Sequence, residues 1–355
     1  MNAQAIDQQK LDAFLARAVG DLSAGYGGVM ISIGHKLGLY QAMAEAGPVG
    51  ARDLATRTHC AERYVREWLN AQVAGGYANY QPDDDSYELS PEQAVVLADA
   101  ESPVFIPNAW QVPASMWFDE DKAVAAFRSG EGVAWGDHDG RLYCGVAAFY
   151  RNAYRGSLVP DWLPALEGVV DRLAAGSRVA DVGCGYGHSS VLMAEAFPAS
   201  EFRGFDVHQA SIIAAKGHAR QAGVDDRVVF ETASATDYPG GPYDLICFFD
   251  CLHDMGDPLA AARHAAESLD PDGTVMLVEP FANDRLEDNV SPVARLYYAA
   301  STTLCCAHSI SEGGRLVLGA QAGETRLAEV FRQAGFTRFR RAAETPFNLI
   351  LEARR

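Results

Sequence analysis

The chain has 355 residues, a formal net charge of −18 at pH 7 and an isoelectric point near 4.8. This length allows two domains with separate hydrophobic cores. The acidic charge argues against a nucleic acid or an anionic membrane as partner, because binding either one depends on clustered Lys and Arg.

The cysteines and the N-terminus indicate the compartment. Seven cysteines occur without a C-x-x-C pair, and Cys305 and Cys306 are adjacent. An odd number in this arrangement is typical of neither a disulfide framework nor a zinc site, and it indicates reducing conditions. The N-terminus lacks the basic and apolar regions of a signal peptide, and no apolar run reaches membrane-spanning length. We therefore expect a soluble, cytoplasmic protein.

Helical patterns and short polar breaks alternate over residues 1–99, which we predict to be one domain. Three predicted helices precede a predicted hairpin, an order typical of a mainly α-helical winged-helix domain. The helices are Leu37–Met43, Ala51–Arg57 and Glu62–Asn70, and the hairpin is formed by 75–80 and 87–89. Asp83, Asp84 and Asp85 lie in its turn, where they would repel phosphates. We interpret this domain as a packing and dimerisation module rather than a DNA-binding one.

Residues 100–168 are rich in aromatic side chains and are predicted to be a helical connector. Domain interfaces are frequent places for small-molecule pockets, and this segment is in a position to cover one. The candidate pocket residues here are Trp135, His138, Tyr150 and Tyr154.

From residue 169 to residue 355 the chain alternates strand and helix, which predicts an α/β domain. Such alternation gives a Rossmann-like parallel sheet, covered on both faces, with its ligand at the carboxyl ends of the strands. The predicted strands are 178–182, 201–206, 227–231, 244–249, 274–279, 337–341 and 347–352. Only five residues separate the last two, too few for a crossover, so the last strand should be antiparallel.

A glycine loop follows the first of these strands, with Gly183, Gly185 and Gly187 at alternate positions. The dinucleotide fingerprint G-x-G-x-x-G needs its third glycine at position 188, which is His, so NAD is disfavoured. No G-K-[ST] follows, and Asp181 would repel a triphosphate, which excludes a P-loop. A ligand without phosphate that carries a positive group fits better, and S-adenosylmethionine is such a ligand.

Two further positions complete a predicted S-adenosylmethionine site. Asp206 ends the second strand, where a carboxylate can accept both ribose hydroxyls, and Val207 offers an apolar edge to adenine. Ser234 and Ala235 form a small polar turn after the third strand, suited to the adenine amine. The product of such a site is S-adenosylhomocysteine.

With these motifs the chain resembles the class I S-adenosylmethionine-dependent methyltransferases. Residues 181–187 are similar to their first motif, Asp206 to the acidic residue of the second, and 234–235 to the adenine turn. Residues 244–254 resemble the fourth-strand motif, which implies cofactor contacts from Phe249 and Asp250. The resemblance implies a seven-stranded methyltransferase sheet with an antiparallel last strand.

More narrowly, the chain is similar to bacterial two-domain methyltransferases with an N-terminal winged helix. Trp135–His138, 319–324 and 346–349 share in this likeness. It implies a homodimer formed through the N-terminal domain and a small-molecule methyl acceptor.

His253 is the candidate catalytic base, just beyond the fourth strand. An imidazole titrates near neutrality, and Asp254 or Asp257 could orient it. The His-Asp pair resembles the His-Asp-Trp motif of small-molecule O-methyltransferases, although Met255 replaces the Trp. Packing at a helix start is the alternative role of His253. His138 and His188 are rival histidines, and Glu279 could line the acceptor site.

A segment at about 281–323 interrupts the expected sheet and is predicted to cover the pocket. Its candidate pocket residues are Tyr297 and Tyr298, and its composition suggests a partly apolar or aromatic acceptor. No carboxylate pair has the spacing of a magnesium site, so no metal is expected.

Transfer to oxygen is favoured over transfer to nitrogen, sulfur or carbon. Two other hypotheses stay open: a winged-helix regulator that senses S-adenosylmethionine without catalysis, and an NAD-dependent dehydrogenase.

Overall fold

Residues 6–355 are described by a computed structural model, in which the chain forms two units. The first runs to Val112 and includes Cys144–Asn152; the second comprises Pro113–Tyr143 and Ala153–Arg355. The predicted connector is therefore divided between the units. The predicted domain boundaries stay a prediction.

The secondary structure is numbered along the described chain. Helices α1 to α15 are Gln8–Lys36, Leu39–Ala46, Ala51–Arg57, Glu62–Ala74, Pro91–Leu97, Gln111–Phe118, Glu120–Ser129, Arg141–Ser157, Val169–Ala175, His188–Ala196, Gln209–Ala222, Pro258–Ser268, Pro292–Thr303, Cys305–Ser311 and Gly323–Gln333. Strands β1 to β9 are Asn79–Gln81, Ser86–Glu88, Arg178–Val182, Glu201–Asp206, Val228–Thr232, Tyr243–Phe249, Leu269–Pro280, Arg338–Glu344 and Asn348–Arg354.

The first unit contains the predicted three helices and hairpin, which are α2, α3, α4 and the antiparallel pair β1–β2. Leu54, Trp68 and Leu69 are buried between them. Asp85 in the hairpin turn has a φ of +49° and pairs with Arg66 of α4 at 3.1 Å. The winged-helix prediction is confirmed.

Helix α1 has two apolar faces. One packs within its own unit through Gly28, Ile31 and Gly34, and a Cβ on Gly34 would lie 2.4 Å from the Trp68 ring. The other face stays exposed, with Leu15 at 57%, Leu22 at 65% and Tyr26 at 71% accessibility. An apolar face of this length on a water-soluble surface is typical of an interaction site.

The second unit is built on a seven-stranded sheet in the order β5-β4-β3-β6-β7-β9-β8. Strands β3 to β7 are parallel, and β9 is antiparallel to both β7 and β8. Helices cover both faces, so the central strands are nearly continuous apolar runs. The predicted α/β sheet with an antiparallel last strand is confirmed.

One strand starts earlier than the sequence suggests. β7 begins at Leu269, which pairs with Tyr243, and regular pairing resumes only where Thr274 meets Leu245. The residues between Leu269 and Thr274 are irregularly paired and interrupt the alternation of buried and exposed side chains. The sequence pattern therefore does not indicate where this strand begins.

Candidate functional site

The glycine loop lies at the carboxyl end of β3. Gly183, Gly185 and Gly187 all have positive φ, at +74°, +51° and +73°. A Cβ on Gly183 would lie 2.7 Å from the Cys251 sulfur, and one on Gly187 would lie 2.5 Å from the Phe230 ring. A Cβ on Gly185 would meet no protein atom within 4 Å. Gly183 and Gly187 therefore allow the loop to pack closely against Cys251 and Phe230. Gly185 leaves the loop backbone accessible to a ligand.

Asp181 is buried beneath this loop. Its Oδ2 accepts hydrogen bonds from the hydroxyls of Ser189 and Ser190, each at 2.6 Å. Its Oδ1 is also buried, and no described residue donates a hydrogen bond to it. Burial raises the pKa of Asp181 to about 6, against the lowering effect of the two serines. An unsatisfied buried carboxylate oxygen fits a ligand that carries a positive group.

Asp206 ties the end of β4 to the glycine loop. Its Oδ2 accepts from the Gly185 amide at 2.9 Å, and its Oδ1 accepts from the His208 amide at 2.8 Å. Burial raises the pKa of this carboxyl, and the two amides oppose the effect. The carboxylate therefore stands beside the open position of the loop, where the sequence places ribose binding.

The predicted adenine edge continues from Asp206. Val207 is exposed, and the Ala233 amide donates to the Asp206 carbonyl at 3.1 Å. Ser234 accepts from the Thr236 amide at 3.2 Å and forms a tight turn with Ala235 inside it. The structure thus brings Asp206, Val207, Ser234 and Ala235 together at one edge of the sheet.

Residues at the end of β6 form a second part of the site. Phe249 is buried against the Tyr154 ring, with centroids 5.3 Å apart. Asp250 has a φ of +51°, and its Oδ1 accepts from the Asn348 amide group at 2.8 Å. Burial, with a contribution from the Asp250 charge, raises the pKa of both Tyr154 and Tyr297. These side chains are therefore neighbours.

His253 lies buried in the turn after β6, beside the carboxyl end of β7. Its Nδ1 lies 2.5 Å from Oε2 of Glu279, and Oε1 of Glu279 accepts from the Leu252 amide at 3.2 Å. Burial alone would lower the pKa of His253, but the Glu279 charge and the Cys305 thiol raise it well above its ordinary value. The pair is a buried histidine–carboxylate dyad.

The carboxylate partner of His253 differs from the one predicted from the sequence. Glu279 contacts the ring, whereas the sequence suggested Asp254 or Asp257. Asp257 instead caps α12 by accepting from the Ala260 amide at 2.8 Å. Burial, opposed by His253, raises the pKa of Asp254 to about 7. The pairing of β6 with β7 in a parallel sheet brings both strand ends to one edge, and that signal could have identified Glu279.

Helix α14, within the predicted cover, hydrogen-bonds to two separate segments. Its Ala307 carbonyl accepts from the Val133 amide at 3.0 Å, and His308 Nδ1 accepts from the Trp135 amide at 3.3 Å. Its Ser309 hydroxyl donates to the Met255 carbonyl at 2.9 Å. The helix therefore joins the Trp135 segment to the turn that carries His253.

The remaining candidate pocket residues differ in position. Tyr297 is buried and donates to the Phe347 carbonyl at 2.9 Å, while Tyr298 is 37% exposed. Tyr150 belongs to the first unit, unlike the other five. His188 begins α10 and stacks on His218 of α11 with ring centroids 4.6 Å apart.

Asp181→Asn is expected to change how stability depends on pH. Because burial raises the folded-state pKa of Asp181 to about 6, the unfolded chain loses this proton first, and wild-type stability falls as pH rises between about 4 and about 6. A shift of about two pKa units corresponds to about 3 kcal/mol. The free energy of unfolding of the variant, relative to wild type, should therefore rise by roughly that amount between these pH values. Urea titrations of the ligand-free proteins measure it, and a difference independent of pH would contradict the assignment.

The sheet topology, the glycine loop and the position of Asp206 together define a class I S-adenosylmethionine-dependent methyltransferase domain. Residues 173–335 match the family model described as a methyltransferase domain. Residues 25–99 match the model described as an Rv2258c-like winged HTH domain. The chain therefore contains a class I methyltransferase domain, preceded in sequence by a winged helix-turn-helix domain.

Known proteins agree with this assignment. The chain is 37% identical over 117 residues to 27-O-demethylrifamycin SV methyltransferase of Amycolatopsis mediterranei, covering 31% of this chain and 43% of that protein. The chain thus spans less than half the length of this curated relative. Two solved structures share the fold along nearly the whole chain. PigF with SAH has a TM-score of 0.73 at 17% identity, covering 95% and 98% of the two chains. Human N-acetylserotonin methyltransferase with SAM has a TM-score of 0.70 at 16% identity, covering 100% and 99%.

Two properties of the described residues bear on the class of site. Within residues 6–355, no helix combines the length and apolar character required to cross a bilayer. In the same range, no three His, Cys, Asp or Glu side chains are grouped as a metal site would require. The expectation that no metal takes part stays a prediction.

Proposed function

We propose that this protein transfers a methyl group from S-adenosylmethionine to a hydroxyl of a small, partly apolar or aromatic molecule. The observation that carries the proposal is the buried His253–Glu279 dyad at the same sheet edge as the glycine loop and Asp206. A hydroxyl nucleophile must lose its proton during transfer, and a histidine with an adjacent carboxylate suits that task.

The residues present fit the cofactor. Asp181 offers an unsatisfied carboxylate oxygen to a positive group, Gly185 allows close approach, and Asp206 stands where a ribose diol would bind. When bound, S-adenosylmethionine supplies an electrophilic methyl group on a sulfonium. Ser234 and Ala235 line the adenine end, and Phe249 and Asp250 extend the site along β6 in this proposal.

His253 accepts the acceptor's proton in the proposed reaction, and Glu279 stabilises the imidazolium that results. Glu279 holds Nδ1, and the Cys305 thiol also interacts with the ring, so the acceptor hydroxyl competes with that thiol for Nε2 in this proposal. Tyr154, Tyr297 and Trp135 provide apolar surface, and helix α14 excludes water from this side. A dry site favours a displacement in which charge is dispersed. His138 and Tyr298 complete the proposed ligand-binding residues of the second unit.

Incubation with radiolabelled S-adenosylmethionine and fractionated metabolite extract tests this function. A labelled small molecule whose new methyl group is on oxygen, by mass spectrometry and NMR, is the expected result. A methyl group on nitrogen, sulfur or carbon would overturn the O-methylation. Binding of S-adenosylhomocysteine by calorimetry without any labelled product would favour the sensor.

We propose in addition that the chain forms a homodimer through the exposed apolar face of α1. Leu15→Glu combined with Leu22→Glu should convert the dimer to a monomer, because burying one leucine contributes about 1.5 to 3 kcal/mol. The homodimer loses four such leucines, two from each protomer, which weakens association by roughly 10⁴- to 10⁹-fold. Light scattering after gel filtration measures the mass. Ala13→Glu with Ala24→Glu, on the exposed opposite side of the helix, is the matched control and should stay dimeric.

The regulator hypothesis is less well supported. The arginines of α4 are paired with carboxylates: Arg63 with Glu67 at 2.5 Å, and Arg66 with both Glu62 and Asp85. These pairs neutralise the side chains that a phosphate backbone would need. DNA binding that weakens steeply with salt would revive the hypothesis.

A cytoplasmic location completes the proposal. All seven cysteines are free thiols, and a reducing compartment keeps them so.

A further inference from the structure

A second buried histidine–carboxylate pair lies in the same unit as the dyad. His138 Nδ1 lies 3.1 Å from Oδ2 of Asp119, and both residues are more than nine-tenths buried. His138 Nε2 is buried too, and no described residue hydrogen-bonds to it. A buried polar atom without a partner costs about 1 to 3 kcal/mol, so its persistence calls for a function.

The contacts of Asp119 determine which nitrogen carries the proton. Lys122 donates to Oδ1 at 2.7 Å, and the Asp139 amide donates to Oδ2 at 2.8 Å. Burial alone would raise the pKa of Asp119, but Lys122, the Asp139 amide and His138 together lower it. The carboxylate is therefore ionised, and it needs a proton on His138 Nδ1. In the neutral ring, Nε2 is then an unoccupied hydrogen-bond acceptor.

The surroundings connect the segment that carries His138 to the cofactor edge. Trp135 contacts the His138 ring edge to face, with centroids 6.3 Å apart. The Trp135 carbonyl accepts from the Tyr143 hydroxyl at 2.6 Å, and the Tyr143 ring stacks on His208 at 4.8 Å. The His208 amide in turn donates to Asp206. The segment from Trp135 to Tyr143 thus lies against the loop that follows Asp206.

We propose that His138 is a ligand-binding residue whose Nε2 accepts a hydrogen bond from a hydroxyl or ammonium group of a bound small molecule, with Asp119 holding the tautomer. The donor group belongs either to the cofactor or to the methyl acceptor, and both present this chemistry. The inference rests on the proposed function and adds a recognition group to the same site.

Two variants separate ligand binding from a structural role. His138→Phe fills the space but has no acceptor, whereas His138→Gln presents an amide oxygen near the position of Nε2. Both remove the Nδ1 donor from Asp119, so a purely structural pair would be harmed equally by the two changes. If His138 binds a ligand, His138→Phe should weaken one ligand at least tenfold, and His138→Gln should recover a large part of that loss.

Two measurements decide whether the cofactor or the methyl acceptor supplies the hydrogen-bond donor to His138: calorimetry with S-adenosylhomocysteine and the KM for the methyl acceptor. A tenfold loss of S-adenosylhomocysteine affinity in His138→Phe assigns the contact to the cofactor. A tenfold rise in acceptor KM with unchanged S-adenosylhomocysteine affinity assigns it to the acceptor. Unchanged affinity and KM in His138→Phe, or equal losses in both variants, would overturn the inference. If wild type binds no S-adenosylhomocysteine, the proposed function itself fails.

Discussion

His253→Ala is expected to lower turnover by about 10²- to 10⁴-fold, the usual contribution of a general base. Cofactor affinity should stay within a few-fold of wild type, because His253 lies in the turn after β6 and makes no hydrogen bond to the glycine loop or to Asp206 in the described structure. Single-turnover rates and calorimetry with S-adenosylhomocysteine provide the two measurements. Turnover within a few-fold of wild type would assign His253 a structural role.

Glu279→Gln distinguishes a role of His253 in proton transfer from a role in packing. The Glu279 charge raises the pKa of His253, so wild-type turnover should increase with pH as the ring loses its proton. The neutral amide keeps the shape of the side chain but lowers the pKa of the ring. The acid limb of the pH–rate profile should therefore move to lower pH in the variant. An acid limb at the same pH in wild type and variant would show that His253 does not accept the proton.

Asp206→Ala is expected to weaken cofactor binding by about 10²- to 10⁴-fold, while the transfer step stays intact at saturating cofactor. A hydrogen bond to a charged group contributes about 1.5 to 3 kcal/mol, and a ribose diol would make two to this carboxylate. The variant also loses the carboxylate oxygen that accepts a hydrogen bond from the Gly185 amide, which destabilises the glycine loop. The dissociation constant of S-adenosylhomocysteine measures the effect.

Asp226→Ala is the matched control for Asp206→Ala. Asp226 is an exposed carboxylate that pairs with Arg227 just before β5, so its removal makes the same change in net charge. It should leave the dissociation constant within about twofold, since surface ion pairs contribute little. Equal weakening in both variants would show that net charge, rather than a ribose contact, governs affinity.

Local patterns explain why so much of this fold could be predicted. The buried strands β3, β4 and β6 are apolar runs bounded by turn residues, and each lies within one residue of its predicted bounds. The glycine loop is contiguous in sequence, so the binding site of the methyl donor could be predicted from a motif.

Pairings between distant residues could not be predicted in the same way. Glu279 and His253 are 26 positions apart and meet only because β6 and β7 are adjacent strands. Asp119 and His138 are 19 positions apart and meet through a loop whose course depends on packing. The sequence identifies His253, Glu279 and His138 as candidates but not Asp119, because tertiary contacts decide which carboxylate faces which ring.

Helix α14 has a consequence for how molecules enter and leave the site. Its separation from the rest of the unit would break its bonds to Val133, Trp135 and Met255, and also the one from the Gly256 amide to Glu312 at 2.8 Å. Four hydrogen bonds at about 1 kcal/mol each correspond to an open population of roughly one in 10³. At equilibrium this side of the site is therefore closed in nearly all molecules, and a ligand that enters here depends on that small open population.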